Sequence, residues 1–166
     1  MKLFYVAVIS VLFLIGCAKS PEKDYLKSAD ENLTKGNVKE AVKDLENFIN
    51  EFKDSVKTPE ALNKLALIYQ NKIAGIPEKE SLEKAVKLYR QVYDEYPSSS
   101  QAPTSLFMAG FILANELNKL HPAEMTYKLF LEKFPNHELS SSAKEELNNL
   151  GLSPEEILKK KTTPNI

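Results

Sequence analysis

Apolar residues recur at steps of three and four along most of the chain, which is the spacing of one face of an α-helix. The clearest run begins at Val38 and ends at Phe52. It returns 44 residues later and again 38 residues after that, interrupted only by Glu124. Small residues and terminal aromatics keep their places in all three copies: Ala41, Ala85 and Ala123; Phe52, Tyr96 and Phe134. This self-similarity predicts three copies of one helix in a repeated unit.

A second apolar run precedes each of these helices. Leu62, Leu65, Ala66 and Tyr69 return 44 residues later as Leu106, Ala109, Gly110 and Leu113. The first copy is poorer and reads Tyr25, Ser28, Ala29 and Asn32. A small residue in the middle of each run (Ala29, Ala66, Gly110) predicts a close approach of two helices. The chain is therefore expected to form three helix pairs.

Turn residues separate these apolar runs. Gly36-Asn37 marks a tight turn inside the first pair, and a longer turn containing Gly75 and Pro77 lies inside the second. Proline at a predicted helix start or just after a predicted helix end supports the boundaries, in Thr58-Pro59, Ala102-Pro103, Tyr96-Pro97 and Phe134-Pro135. A further amphipathic helix spans 140–150, and a capping-box sequence, Ser153-Pro154-Glu155-Glu156, starts a last short turn. The pattern predicts an all-α solenoid of about three helix pairs plus a C-terminal capping helix over residues 22–150, followed by a short tail, 151–166.

The N-terminal segment has the pattern of a secretion signal rather than that of a structural element of the mature protein. Lys2 precedes an apolar run, Leu3 to Ile15, which is too short to span a membrane and suits a secretory signal. Leu14-Ile15-Gly16-Cys17 resembles the lipobox of bacterial lipoproteins, which implies a signal peptide at 1–16, acylation of Cys17 and a tether at 17–21. The alternative is ordinary secretion with Cys17 discarded. Ala18 follows the cysteine where an aspartate would favour inner-membrane retention, so the outer membrane is favoured.

Helix pairs with this order of small residue, turn, alanine, aromatic and aromatic-proline resemble tetratricopeptide repeats. Two stretches are more specific: residues 96–106, and Phe134-Pro135-Asn136-His137 followed by 143–147. Both resemble the lengthened repeats of the BamD family of outer-membrane assembly lipoproteins and of the Tol-Pal-associated YbgF (CpoB) family. BamD-like chains carry more repeats than this one, and YbgF-like chains usually carry a coiled coil and no lipid.

The resemblance implies a curved array whose concave face is lined by the first helix of each pair. The partner-binding residues expected on that face are Leu26, Asp30, Leu33, Asn63, Leu67, Gln70, Phe107, Phe111 and Ala114. Phe107 and Phe111 lie one turn apart, outside the predicted core stripe. They are expected either to form an apolar pocket for a partner segment or to be covered by the final helix, with Leu139, Ala143 and Leu147, as core.

The composition argues against several classes of function. The 166 residues carry a formal net charge of −1 and Arg90 is the sole arginine, so a basic nucleic-acid-binding face is not expected. His121 and His137 have no second ligand at a metal-binding spacing, and one cysteine is a poor basis for a metal site. The five glycines are scattered and form no phosphate-binding loop. We therefore expect no catalytic residues, no metal and no cofactor.

These observations together predict a non-enzymatic, lipid-anchored scaffold on the periplasmic side of the outer membrane. Its expected partners are envelope proteins, either barrel-assembly components or Tol-Pal and cell-wall components. The alternatives are a small-ligand-binding lipoprotein and a pilotin-like factor that helps a secretin to assemble.

Overall fold

The repeated apolar runs fold as pairs of α-helices joined by short turns. The structure, a computed structural model, describes residues 22–162, which contain eight α-helices, one π-helical turn and no strand. The elements are α1 Glu22–Thr34, α2 Val38–Glu51, α3 Thr58–Gln70, α4 Glu78–Glu95, α5 Ala102–Phe111, the π-helical turn Ile112–Glu116, α6 Leu120–Lys133, α7 Ser140–Asn149 and α8 Pro154–Thr162. The predicted signal peptide, Cys17, the tether and residues 163–166 lie outside the described residues.

Successive helices pack on one another from α1 to α7, so the three pairs stack in chain order. The predicted all-α solenoid of three helix pairs with a capping helix, α7, is therefore confirmed. Because each helix contacts mainly its neighbours in the chain, the core is not one central cluster. It forms two apolar clusters along the array, and the partly buried Val86, Met108 and Leu117 pack against both.

The three sequence registers coincide in the core. The second helices bury the same three positions in every pair: Ala41, Leu45 and Phe48; Ala85, Tyr89 and Val92; Ala123, Tyr127 and Phe130. In the first helices, both full copies of the predicted stripe are also buried. Glu124, which interrupts the pattern, lies half-exposed and pairs with Lys128 at 2.6 Å.

The small central residues bring the helices of a pair together, as predicted. A Cβ atom added to Gly110 would lie 3.0 Å from Cε1 of Tyr127 on the partner helix. Tyr127 is fully buried, so its ring fills the space that the missing side chain leaves. Ala29 and Ala66, at the equivalent positions, are fully buried too.

The turn that leads from each pair to the next has one repeated hydrogen-bond pattern. The amides of Phe52, Tyr96 and Phe134 close the second helices, and each aromatic carbonyl then accepts a bond from the amide three residues on. In two of the turns a side chain adds a further bond: Thr58 Oγ1 donates to the Phe52 carbonyl at 2.5 Å, and Ser140 Oγ to the Phe134 carbonyl at 2.7 Å. The remaining turn, 96–101, is followed by Ala102 at this position and lacks that donor.

The long turn of the second pair, 71–77, is held by a buried side chain. Ser81 Oγ donates to the carbonyl of Tyr69 at 2.6 Å, which ties the start of α4 to the end of α3. This turn and the extra N-terminal turn of α4 lengthen the second pair, which explains why the second-helix run returns after 44 residues the first time and after 38 the second.

Both ends of the array are polar. In the first pair, Asp44 accepts hydrogen bonds from Ser28 Oγ at 2.6 Å and from Asn32 Nδ2 at 3.0 Å, at positions that are apolar in the second pair. At the other end, α7 buries Ala143 and exposes Ser141, Ser142, Lys144, Glu145 and Asn148. Solenoids require such polar end faces to remain soluble.

The C-terminal tail is more ordered than a short turn. The predicted capping box forms, since the amide of Ser153 donates to Glu156 Oε2 at 2.7 Å and the amide of Glu156 to Ser153 Oγ at 3.3 Å. It starts a helix of nine residues, α8, which forms about two and a half helical turns instead of the one predicted. Lys160 Nζ donates to the carbonyl of Asn148 at 2.9 Å and links α8 to α7.

Candidate functional site

The first helices of the three pairs and α7 lie side by side, and single side-chain contacts join them. Lys64 on α3 contacts Asp30 on α1 at 2.6 Å. Ser105 Oγ on α5 donates to Asn63 Oδ1 on α3 at 2.7 Å, and Asn115 Nδ2 donates to Glu146 Oε2 on α7 at 3.2 Å. We call the solvent-facing side of α1, α3, α5 and the π-helical turn the first-helix face. The residues that were predicted to bind a partner all belong to these elements.

At its N-terminal end this face has an open depression of about 610 Å³ between α1 and the start of α3. Four lysines and three carboxylates line it together with Leu26 and Thr34: Lys27, Lys35, Lys57 and Lys64; Asp30, Glu31 and Glu60. Lys64 contacts Asp30 and, at 3.5 Å, Glu60. Partial burial opposes the charge on Lys64, but Asp30 and Glu60 outweigh it and raise its pKa, so the ammonium stays charged.

The centre of the face is Leu67, which is 50% exposed. The two other predicted residues of α3 are half-buried and take part in contacts within the array. Asn63 accepts from Ser105, and Gln70 Oε1 accepts from the hydroxyl of Tyr89 at 2.8 Å. Leu67 is therefore the apolar side chain that this helix presents to solvent, between the charged depression and α5.

The structure distinguishes between the two alternatives given for Phe107. This side chain is only 9% exposed, and its ring lies 5.8 Å from that of Tyr127 and 5.9 Å from that of Phe130. It belongs to the same apolar cluster as Ala143, with Leu139 and Leu147 packed against it. Of the two alternatives, Phe107 is thus core, covered from α6 and α7, because the last pair needs a cap.

The remaining predicted residues stay closer to the surface. Phe111 and Ala114 are half-buried, as are Leu26 and Leu33, and Asp30 is exposed. Phe111 stands at the position of Leu67 one repeat later and continues the apolar line along the face. Directly after it the helix changes to π geometry, with the amide of Leu117 donating to the carbonyl of Ile112 at 2.9 Å. π-helical turns are rare and frequently mark functional positions.

Sequence reasoning missed Lys64, which joins the first two pairs on this face. Its signal was the Glu60–Lys64 spacing, since residues four apart on a helix are neighbours. The longer contact to Asp30 has no sequence signal, because it depends on how α1 stacks on α3.

Both histidines lie in turns or at helix starts. The amide of Leu139 donates to Nδ1 of His137 at 3.2 Å, and its ring packs edge-on against Phe130 at 5.9 Å. His121 is exposed on the first turn of α6. In residues 22–162 no three His, Cys, Asp or Glu side chains are grouped so that they could hold a metal ion. Over the same range, no helix is long and apolar enough to cross a membrane.

The stacked helix pairs agree with a comparison of the sequence against known protein families. The tetratricopeptide repeat signature matches residues 60–99 and 104–137, slightly less than half of the chain. These segments cover most of α3 with α4, and α5 with α6. The first pair falls outside the match and is also the pair with Ser28, Asn32 and Asp44 at positions that are apolar in the second pair. No curated protein matches the chain.

Proposed function

We propose that this tetratricopeptide-repeat chain is a lipid-anchored scaffold of the bacterial cell envelope that binds other proteins through its first-helix face. Tetratricopeptide repeats mediate protein–protein interaction, which is the general class of function that the matched segments support. The envelope role and the anchor are the specific parts of the proposal.

The observation that carries the binding surface is the exposure of Leu67. Leu67 is half solvent-accessible in the middle of a well-packed array, so a partner that covers it removes apolar surface from water, which favours binding. Phe111 extends the apolar line and the charged depression flanks it. The surface therefore suits a partner segment with apolar side chains at its centre and charged side chains at one end.

The anchor is inferred from the sequence that precedes α1. Leu14-Ile15-Gly16-Cys17 has the form of a lipobox, and α1 begins at Glu22. Two or three acyl chains on Cys17 would hold the array at a membrane, whereas one chain gives only marginal binding. The residue after the cysteine, Ala18, favours the periplasmic side of the outer membrane.

The binding surface is tested by co-purification from gently solubilised membranes. Leu67→Arg should abolish recovery of the partner without changing the thermal unfolding of the protein, because the side chain is on the surface. Met125→Arg is the matched control: Met125 is 55% exposed on α6, outside the first-helix face, and the variant should still recover the partner. Equal recovery by both variants would contradict the assignment of the surface.

The same experiment identifies the envelope process. Recovery of a barrel-assembly protein would support a role like that of the BamD family. Recovery of Tol-Pal or wall-synthesis proteins would support a role like that of YbgF, and recovery of a secretin would support the pilotin-like alternative. A large thermal shift with a single metabolite, and no protein partner, would favour the small-ligand-binding alternative.

The anchor is tested separately. Wild-type protein should incorporate labelled palmitate and fractionate with outer membranes, while Cys17→Ala should do neither. A wild-type protein whose mature N-terminus lies beyond residue 17 would contradict acylation and leave the binding surface unaffected.

A further inference from the structure

The topology places the start of α1 on the same edge of the array as the turns between pairs. The hydroxyl of Tyr25, in the first turn of α1, donates to Glu51 at the end of α2 at 2.9 Å, and its ring lies 6.1 Å from that of Phe52. The hydroxyl of Tyr96 donates to the carbonyl of Lys53 at 2.9 Å, which joins the next turn to this edge. We call this edge the tether edge: the first turn of α1 and the turns 52–57, 96–101 and 134–139.

The chain between Cys17 and α1 is short. Five residue steps separate Cys17 from Glu22, so even a fully extended tether spans only about 18 Å. If Cys17 is acylated, as the proposed function holds, the first turn of α1 must stay within this distance of the lipid headgroups. The opposite edge is separated from the tether edge by the length of a helix, roughly 20 Å for the 13 residues of α3.

One turn of the tether edge has the composition of a membrane contact. Val56, in the turn after α2, is 93% exposed, more than any other large apolar side chain in residues 22–162. Lys57 follows it and Lys53 lies three residues before it; both lysines are exposed, as is Asp54 next to Lys53. An apolar side chain between two lysines suits the boundary between headgroups and acyl chains, where the valine is buried and the ammonium groups meet anionic phosphates.

The other turns of the tether edge lack this composition, and the opposite edge of the array differs in the pairing of its lysines. Among the three turns, only 52–57 contains lysines and an exposed large apolar side chain; 96–101 consists mainly of serine with proline and glutamine, and 134–139 contains Glu138. On the opposite edge, two lysines are held in ion pairs: Lys72 contacts Glu78 at 2.6 Å and Glu116 at 3.2 Å, and Lys119 contacts Glu83 at 2.8 Å.

We propose that the tether edge lies on the membrane surface, with Val56 inserted at the headgroup boundary and Lys53 and Lys57 on anionic headgroups. The array then stands on its turns, with the first-helix face directed sideways along the membrane and open to partners. This proposal rests on the acylation of Cys17 and adds the contacting turn and the chemistry of the lipid.

The test measures depth in the bilayer at two matched positions. Acylated Val56→Cys and Ile73→Cys are purified from membranes, labelled at the single free thiol with an environment-sensitive fluorophore, and reconstituted into vesicles of phosphatidylethanolamine and phosphatidylglycerol with a nitroxide headgroup quencher. Ile73, 49% exposed in the turn after α3, is the control on the opposite edge. Because the edges are roughly 20 Å apart, quenching at position 56 should exceed that at position 73 by at least about threefold.

The outcomes separate this proposal from the proposed function. Mass spectrometry of the same samples reports acylation. Acylated protein with equal quenching at both positions would overturn the membrane contact and leave the anchored scaffold standing, whereas unacylated protein would overturn both. Lys53→Gln with Lys57→Gln should reduce the quenching at position 56. An unchanged signal, or an equal signal in vesicles of phosphatidylcholine alone, would overturn the role of the lysines and of anionic lipid.

Discussion

The hydroxyl of Tyr89 donates a hydrogen bond to Oε1 of Gln70, 2.8 Å away on the first helix of the same pair. One repeat later the same two positions are Tyr127 and Ala114, and the alanine offers no acceptor. The hydroxyl of Tyr127 is buried and has no hydrogen-bond partner among the described residues. Two tyrosines at one register position therefore have opposite energetic roles.

This contrast predicts different effects of the same substitution. Tyr89→Phe removes a formed hydrogen bond and should lower the free energy of unfolding by about 1 kcal/mol. Tyr127→Phe removes a buried hydroxyl that has no partner, and should leave stability unchanged or raise it slightly. Urea unfolding of the two variants beside wild type measures both. Equal losses would mean that Tyr127 has a partner, such as an ordered water.

Burial of Tyr89 also predicts a loss of stability at alkaline pH. Burial raises the pKa of Tyr89 from 10.0 to about 12, so the unfolded chain loses this proton at lower pH than the folded protein. The contribution is complete below pH 10 and disappears as the pH rises to about 12, which amounts to roughly 2–3 kcal/mol. Burial raises the pKa of Tyr127 in the same direction. Unfolding free energies across this range should fall less steeply for Tyr89→Phe than for wild type; parallel curves would contradict the assignment.

The close approach of α5 and α6 predicts that Gly110→Ala is destabilising. Alanine favours a helix over glycine by about 1 kcal/mol, but the new methyl group would lie 3.0 Å from the fully buried ring of Tyr127. Overpacking of this kind costs about 1–3 kcal/mol, so we expect a net loss. The first pair has Leu45 and Ala29 at these positions, both fully buried. A double-mutant cycle of Gly110→Ala with Tyr127→Leu should therefore show a favourable coupling, and strict additivity would argue against the steric explanation.

The burial of Phe107 predicts that its truncation affects folding before it affects binding. Phe107→Ala should cost about 3–5 kcal/mol, because it leaves a cavity between α5, α6 and α7. Phe111→Ala, at a half-buried position one turn away, should cost clearly less. Thermal unfolding by circular dichroism distinguishes the two. A wild-type melting temperature for Phe107→Ala would place this side chain on the surface.

The sequence predicted the helix pairs well because the same physical requirement is repeated three times. Each pair needs a small residue where its helices cross, and Ala29, Ala66 and Gly110 show this independently of one another. Aromatic residues close the second helices in all three copies. A single helical pattern does not show which helix it packs against. Three copies that agree on the small and aromatic positions show which helices pack together.

The features that escaped prediction depend on contacts between elements. The periodicity could not show whether Phe107 is exposed or buried, because its burial depends on where α7 packs. The π-helical turn at Ile112–Glu116 arises from one altered hydrogen-bond register, which the apolar pattern does not record. The contact of Lys64 with Asp30 crosses between pairs, and α8 extends a capping box into a sequence that is mostly charged.

The polar ends of the array bear on how a protein of this kind changes length over evolution. Asp44, with its serine and asparagine partners, occupies the place that an apolar stripe would need for another pair to stack before α1. The serines and charged residues on the outer side of α7 do the same at the other end. Growth by adding a repeat to either end would require many simultaneous substitutions. Duplication of an inner pair would require few, because its two faces already match those of its neighbours.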